Sequence, residues 1–176
     1  MDTSTPIDID VAVNGLGGEP SIFYMMLANL ESMTLNEIMK KIVEMYDQRN
    51  YLEMKNHAHS LKGASGYVGA SRLHYVCYFI QEHYVFNRYD KMLEYYPSLV
   101  EAAIEFKVYS RQIISKYKSK SKLLCKFNYY IFSEENCVIT PADETIFHSS
   151  DFKLVKDPAS GFVYCCKLDQ SLDHRI

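Results

Sequence analysis

The chain has 176 residues, 48% of them hydrophobic and 23% charged, with a formal net charge of −3. These values fit one globular domain with room for a small appendage, and the mild negative balance gives no support to a general nucleic-acid role. No run of about 18 apolar residues occurs, so no membrane span is expected, and the acidic start MDTSTPIDIDVAVNG lacks the regions of a secretion signal.

The first helical signal follows Gly15, Gly17, Gly18 and Pro20, a loop leading into a helix whose inward positions are read as Ile22, Met25, Met26 and Leu30. A second helix is expected from Thr34, with Glu37 as capping-box partner and a stripe of Leu35, Ile38, Ile42 and Met45. The stretch DQRN, residues 47 to 50, reads as a break, and a third helix runs from about Tyr51 to Val68. Gly69 marks a turn, and Ser71 is the expected N-cap of a fourth helix carrying Leu73, Val76, Cys77 and Ile80 inward. A loop near Asn87 leads to a fifth helix, which Pro97 either starts or kinks, through Leu99, Ala103, Phe106 and Ile113. Short loops between amphipathic helices favour an all-α, up-and-down four-helix bundle over residues 1–120, with an N-terminal covering helix.

Beyond about residue 120 the texture changes. KFNYYIFS and CVIT are rich in aromatic and β-branched residues, and FKLV and FVYCCKL flank a Pro/Gly turn. Residues 121–176 are therefore read as a small β-leaning extension. The cysteines, Cys77, Cys125, Cys137, Cys165 and Cys166, are odd in number and lack CxxC spacing, which suits a reducing compartment and favours neither a disulfide framework nor a zinc site. From Lys107 to Lys126, seven basic residues (Lys107, Arg111, Lys116, Lys118, Lys120, Lys122, Lys126) occur without an acid. They read as a solvated helix end rather than a binding site for an anionic partner.

The third helix holds the chemistry, in NHAHSLKGASGYVGASRL. At about 100° per residue, Met54, Ala58, Leu61, Ser65 and Val68 fall within roughly 80° and form the buried stripe. His59, Lys62, Gly63 and Gly66 span roughly 100° of another face, and His57 lies about 160° from His59, at the border of the core. Each helical glycine costs about 0.5–1 kcal/mol relative to alanine, so Gly63 and Gly66 need a reason. A cleared surface around an imidazole, with a cation three residues away, suits an anionic group carried on His59, phosphate above all. A metal site would want a second histidine or a carboxylate where this face has glycine.

AHSLKGASGYVGASRL resembles the motif of histidine-containing phosphotransfer (HPt) domains: His-x-Leu-Lys-Gly, then small residues, then Gly-Ala. The resemblance, to eukaryotic free-standing members, extends from about residue 9 to residue 118 through GLGGEPSIFYMMLANL, NYLEMKNHAHSLKG, SRLHYVCYFIQEHY and EAAIEFKVYSRQI. It implies that His59 is the phosphoacceptor and that Lys62 and Arg72 stabilise the phosphate. Gly63, Gly66 and Tyr67 would form the docking face, and Ser65, Gly69 and Ala70 would serve helix packing. The family often has Ser-Ser after Lys-Gly where this chain has Ala64-Ser65, and His57 has no counterpart.

The resemblance further implies a phosphocarrier without catalytic activity of its own. It would shuttle a phosphoryl group between response-regulator receiver domains, that of a hybrid histidine kinase among them. No cofactor is expected on this chain, since the receiver partner supplies Mg²⁺, and neither nucleic acid nor a membrane span is expected. The expected location is the cytoplasm, with the nucleus second. Two rivals remain: an HPt-like adaptor or phosphate sink that docks receivers without onward transfer, and a metal-binding or hydrolytic domain using His57, His59 and His74.

Overall fold

The computed structural model describes residues 3–120, 146, 151–156 and 163–167; KFNYYIFS, CVIT and the Pro/Gly turn lie outside these residues. Helix α1 (Ile9–Gly15) starts at Asp8, whose side chain accepts the Val11 N–H at 3.2 Å, and lies across α2 and α4 as a covering helix. Helix α2 (Pro20–Asn29) begins with proline in its first turn, where the missing N–H costs nothing. Its buried residues are Phe23, Leu27 and Ala28, followed by Leu30, whereas Ile22 and Met25 are exposed. Of the four inward positions expected, Leu30 is buried and Met26 half-buried, while Ile22 and Met25 belong to a second, outer apolar stripe.

No new helix starts at Thr34. A π-helical turn over Leu30–Thr34 carries α2 directly into α3 (Leu35–Asp47), so Thr34 has helical dihedrals and makes no cap. Its hydroxyl bonds Asn29 Oδ1 at 2.9 Å, and Glu37 is exposed. The wider π turn loosens carbonyls that the α-helical ladder would use. Side chains take them up: Ser32 Oγ donates to Ala28 O (2.8 Å), Asn36 Nδ2 to Ser32 O (3.0 Å) and Lys107 Nζ to Glu31 O (2.9 Å). In α3, Leu35 and Ile42 are buried as expected, joined by Met39, Val43 and Tyr46, while Ile38 and Met45 are half-buried.

The break after Asp47 passes through Arg49 at φ 56°, and Asn50 caps α4 (Tyr51–Tyr67) by accepting the Glu53 N–H at 3.2 Å. Met54, Ala58, Leu61, Ser65 and Val68 are all buried, as the wheel requires. Gly69, at φ 66°, turns the chain into α5 (Ser71–Val85). Ser71 is the first helical residue and not the N-cap; it is buried, and its hydroxyl reaches Thr5 O at 3.4 Å. The incoming N-terminal segment explains this: Asp8 N–H donates to Gly69 O at 2.8 Å, and a Cβ on Gly69 would run into the Asp8 carbonyl.

A short α6 (Tyr89–Glu94) precedes α7 (Tyr96–Lys120), with Pro97 in its first turn, so the proline starts the helix and does not kink it. The α2–α3 rod, α4, α5 and α7 close a ring in which each neighbours the next, and Phe23, Met39, Ile42, Leu61, Leu73 and Phe106 fill its centre. Burying each such side chain contributes about 1.5–3 kcal/mol. Among the described residues, no helix is long and apolar enough to cross a membrane.

The basic stretch is not uniformly solvated. Lys107 is fully buried and, besides the Glu31 carbonyl, meets Glu31 Oε1 at 3.3 Å; Arg111 Nε meets the same oxygen at 2.7 Å. Lys116 is exposed, and the side chains of Lys118, Lys120, Lys122 and Lys126 lie outside the described residues. Two antiparallel strands, β1 (Phe152–Lys156) and β2 (Val163–Lys167), pair with Leu154 opposite Cys165. Ile146 adds to the bundle core, and Asp151 ties to Arg49 (2.6 Å) and the Tyr46 hydroxyl (3.3 Å). Burial pushes the Tyr46 phenol up to about 12, so it stays a donor to that carboxylate.

Candidate functional site

Helices α4 and α5 run antiparallel about the Gly69 turn, and their register forms rungs one helical turn apart. His59 faces Gln81, Lys62 faces Tyr78, and Gly66 faces His74. The top rung holds the exposed imidazole of His59, with Nδ1 2.9 Å from Gln81 Oε1. The Gln81 amide nitrogen donates to Cys77 O, one turn back in α5, at 3.1 Å. That bond fixes which end of the amide faces His59: the carbonyl oxygen, which can only accept. The network therefore assigns the ring proton to Nδ1 and the lone pair to Nε2. Cys77 contributes its carbonyl alone, because its thiol is buried and burial pushes its pKa above the ordinary thiol range.

Lys62, three residues after His59, lays its ammonium 5.9 Å from the Tyr78 ring centroid. Its backbone carbonyl accepts both Ser65 Oγ (3.0 Å) and His74 Nδ1 (2.9 Å). These bonds hold α4 against α5 and satisfy buried Ser65 without a polar partner outside the helix. Gly63 is exposed, and a Cβ there would meet nothing within 4 Å. Tyr67, 64% exposed, stands one turn further along.

Gly66, half-exposed, has a neighbour that its spacing did not reveal. A Cβ there would come 3.3 Å from His74 Nδ1, so this glycine lets the imidazole of α5 pack against α4 and is a helix-packing position. Arg72 is not at the site either. It sits nine residues before Gln81 on α5, about 13 Å along the helix axis. Its guanidinium donates to Thr3 O and Ser4 O at 2.9 Å each and pairs with Glu105, which clamps the N-terminal segment to the bundle. Gly69 and Ala70 are buried at the turn that sets the rungs.

His57 is half-buried on the other side of α4. His74 Nδ1 serves the Lys62 carbonyl and His59 Nδ1 serves Gln81, so these three histidines do not converge. Among the described residues, no group of three His, Cys, Asp or Glu side chains is placed to hold a metal ion. His83, on the inner face of α5, is buried beside Tyr95. Gln81 went unrecognised in the sequence because α5 was read for its apolar stripe. Reflecting His59 about the Gly69–Ala70 turn, as an antiparallel helix pair requires, lands on it.

An exposed imidazole with a proton held on Nδ1 and a lone pair on Nε2, an ammonium one turn away and an open surface at Gly63 make a nucleophile accessible to another macromolecule. A comparison with protein families matches residues 27–105 to the Hpt domain. Comparisons with curated proteins and with solved structures give no match.

Proposed function

Residues 27–105 are an Hpt domain, a module of histidine phosphotransfer in phosphorelays, and from that premise we propose that the chain accepts a phosphoryl group on His59 from a receiver-domain aspartate and passes it to a second receiver. The observation that carries this reading is the His59–Gln81–Cys77 hydrogen-bond chain, which leaves Nε2 as the one nucleophilic nitrogen of an exposed ring.

The Nε2 lone pair attacks the phosphorus of an aspartyl phosphate in line; the new N–P bond forms as the P–O bond breaks, and the aspartate departs as a carboxylate. The ring then carries the phosphoryl group on Nε2 and a proton on Nδ1, a cation whose N–H stays bonded to Gln81 Oε1. Keeping that proton matters for the return step. A protonated ring leaves phosphorus as neutral imidazole, whereas a deprotonated one would have to leave as an anion. Gln81 thereby supports both directions of transfer. Lys62 balances the charge of the phosphoryl oxygens. Gly63 and Tyr67 belong to the face on which the receiver docks, and the receiver brings the Mg²⁺.

The protein is thus a phosphocarrier, with its partners in the receivers of a multistep two-component relay, one of them on a hybrid histidine kinase. We place it in the cytoplasm, with the nucleus second. Residues 1–120 form the phosphotransfer unit of this reading and residues 121–176 a β-leaning extension.

A pulse-chase tests it. The protein is labelled from a panel of phosphorylated receivers, purified, and mixed with unlabelled receivers. Label moving to a second receiver aspartate is expected. Label that enters but never leaves would instead identify a phosphate sink, and binding without label an adaptor.

A further inference from the structure

The register that sets Gln81 across from His59 sets Tyr78 across from Lys62, one turn away on the same face of α5. The Lys62 ammonium lies 5.9 Å from the ring centroid, within the range over which the negative face of an aromatic ring attracts a cation. The Tyr78 hydroxyl points away from the ammonium and donates to Glu82 Oε1 at 3.3 Å, one turn further along, so the ring face alone meets Lys62. Packing does not account for its place: Tyr78 is 43% exposed, and Leu73, Cys77 and Ile80 carry the core face of α5.

A lysine on a helix surface samples many rotamers, and ordering it against an anion costs entropy each time. With its ammonium over the Tyr78 ring, Lys62 is already directed towards α5, on the rung one turn from His59. The hold is weak compared with that of a doubly charged phosphate, so the ammonium changes partner when the phosphoryl group arrives. We infer that Tyr78 is a positioning residue that keeps Lys62 within reach of the phosphoryl group on His59. This rests on the phosphotransfer reading of His59 and adds to it a residue that acts through Lys62.

The test uses phosphoramidate, a small donor that needs no docking surface. His59 Nε2 attacks its phosphorus, the P–N bond breaks, and ammonia leaves with the electron pair. Tyr78→Leu is expected to slow labelling about two- to five-fold, the size of an exposed cation–π contact. Tyr78→Phe keeps the ring face and the wild-type rate, and in a Lys62→Met background Tyr78→Leu has no further effect. An unchanged rate in Tyr78→Leu, an equal slowing with Lys62 already removed, or a Tyr78→Phe as slow as Tyr78→Leu would overturn the inference.

Proton NMR of the Lys62 ε-methylene gives a readout free of activity. Its resonance should be displaced upfield by the ring in wild type and Tyr78→Phe and be ordinary in Tyr78→Leu. No displacement in wild type, with labelling intact, overturns the role of Tyr78 alone. A displaced resonance in a wild type that labels no better than His59→Gln would sink the phosphotransfer reading and this inference with it, leaving only the ring–ammonium contact.

Discussion

Glu31, Lys107 and Arg111 meet inside the bundle almost without contact with water, whereas His59 stands on its surface beside the open backbone of Gly63. Both clusters set a cation beside a titratable group, yet they are built for opposite ends. In the first, the carboxylate is already spent on two cations and a π turn offers its loosened carbonyl to the lysine. In the second, Gln81 takes one ring nitrogen and the other is left facing solvent. A buried charge is held because losing its partner is costly; an exposed one remains free to receive a new partner.

Breaking the buried cluster should give the largest effect. Glu31→Ala removes the buried carboxylate that Lys107 and Arg111 share and is expected to cost about 3–5 kcal/mol in urea unfolding. Phosphoryl acceptance per folded molecule should stay unchanged. A loss of acceptance larger than the loss of folded protein would mean that the two clusters are coupled. Gly69→Ala comes next. It asks a residue with a side chain to hold φ 66° against the Asp8 carbonyl, at an expected cost of about 2–3 kcal/mol.

Gln81→Leu works on the surface cluster alone. Transfer from a receiver should fall about tenfold, about 1.4 kcal/mol of barrier. With the proton no longer fixed, phosphate should also appear on Nδ1, read by NMR of the phosphorylated ring. Labelling confined to Nε2 at the wild-type rate would refute the tautomer assignment. The smallest effect sharpens the contrast among the glycines. Gly63→Ala has open space for its methyl and should stabilise the helix by about 0.5–1 kcal/mol. It should nevertheless slow transfer from a receiver while leaving phosphoramidate labelling unaffected. Equal effects on both donors would show that Gly63 does not belong to a docking face.

The sequence carried the α4 side of the site well, because a single helix obeys one angular rule. The same wheel that buried Met54, Ala58, Leu61, Ser65 and Val68 turned His59 outward and His57 towards the core border. What it did not carry depends on a second element. Gly66 was assigned to the open face, and only the approach of His74 shows that the space is filled. Arg72 was assigned to the phosphate on resemblance, whereas its guanidinium is taken up by the N-terminal segment and Glu105. Thr34 and Glu37 have the spacing of a helix start, but the π turn continues the ladder and removes the need for one. Lys107 belonged to a basic run whose other members said nothing of Glu31, 76 residues away. Angular periodicity was legible in α4, which carries a single apolar stripe; the contacts that α5 and the N-terminal segment make with it were not.

The central claim, that His59 receives phosphate through Nε2, is tested most directly by mapping the phosphate after incubation with a phosphorylated receiver. A base-stable, acid-labile phosphate is expected on Nε2 of His59, abolished in His59→Gln and retained in His57→Gln. No such phosphate on the wild type, or label that survives His59→Gln and disappears in His57→Gln, would contradict it.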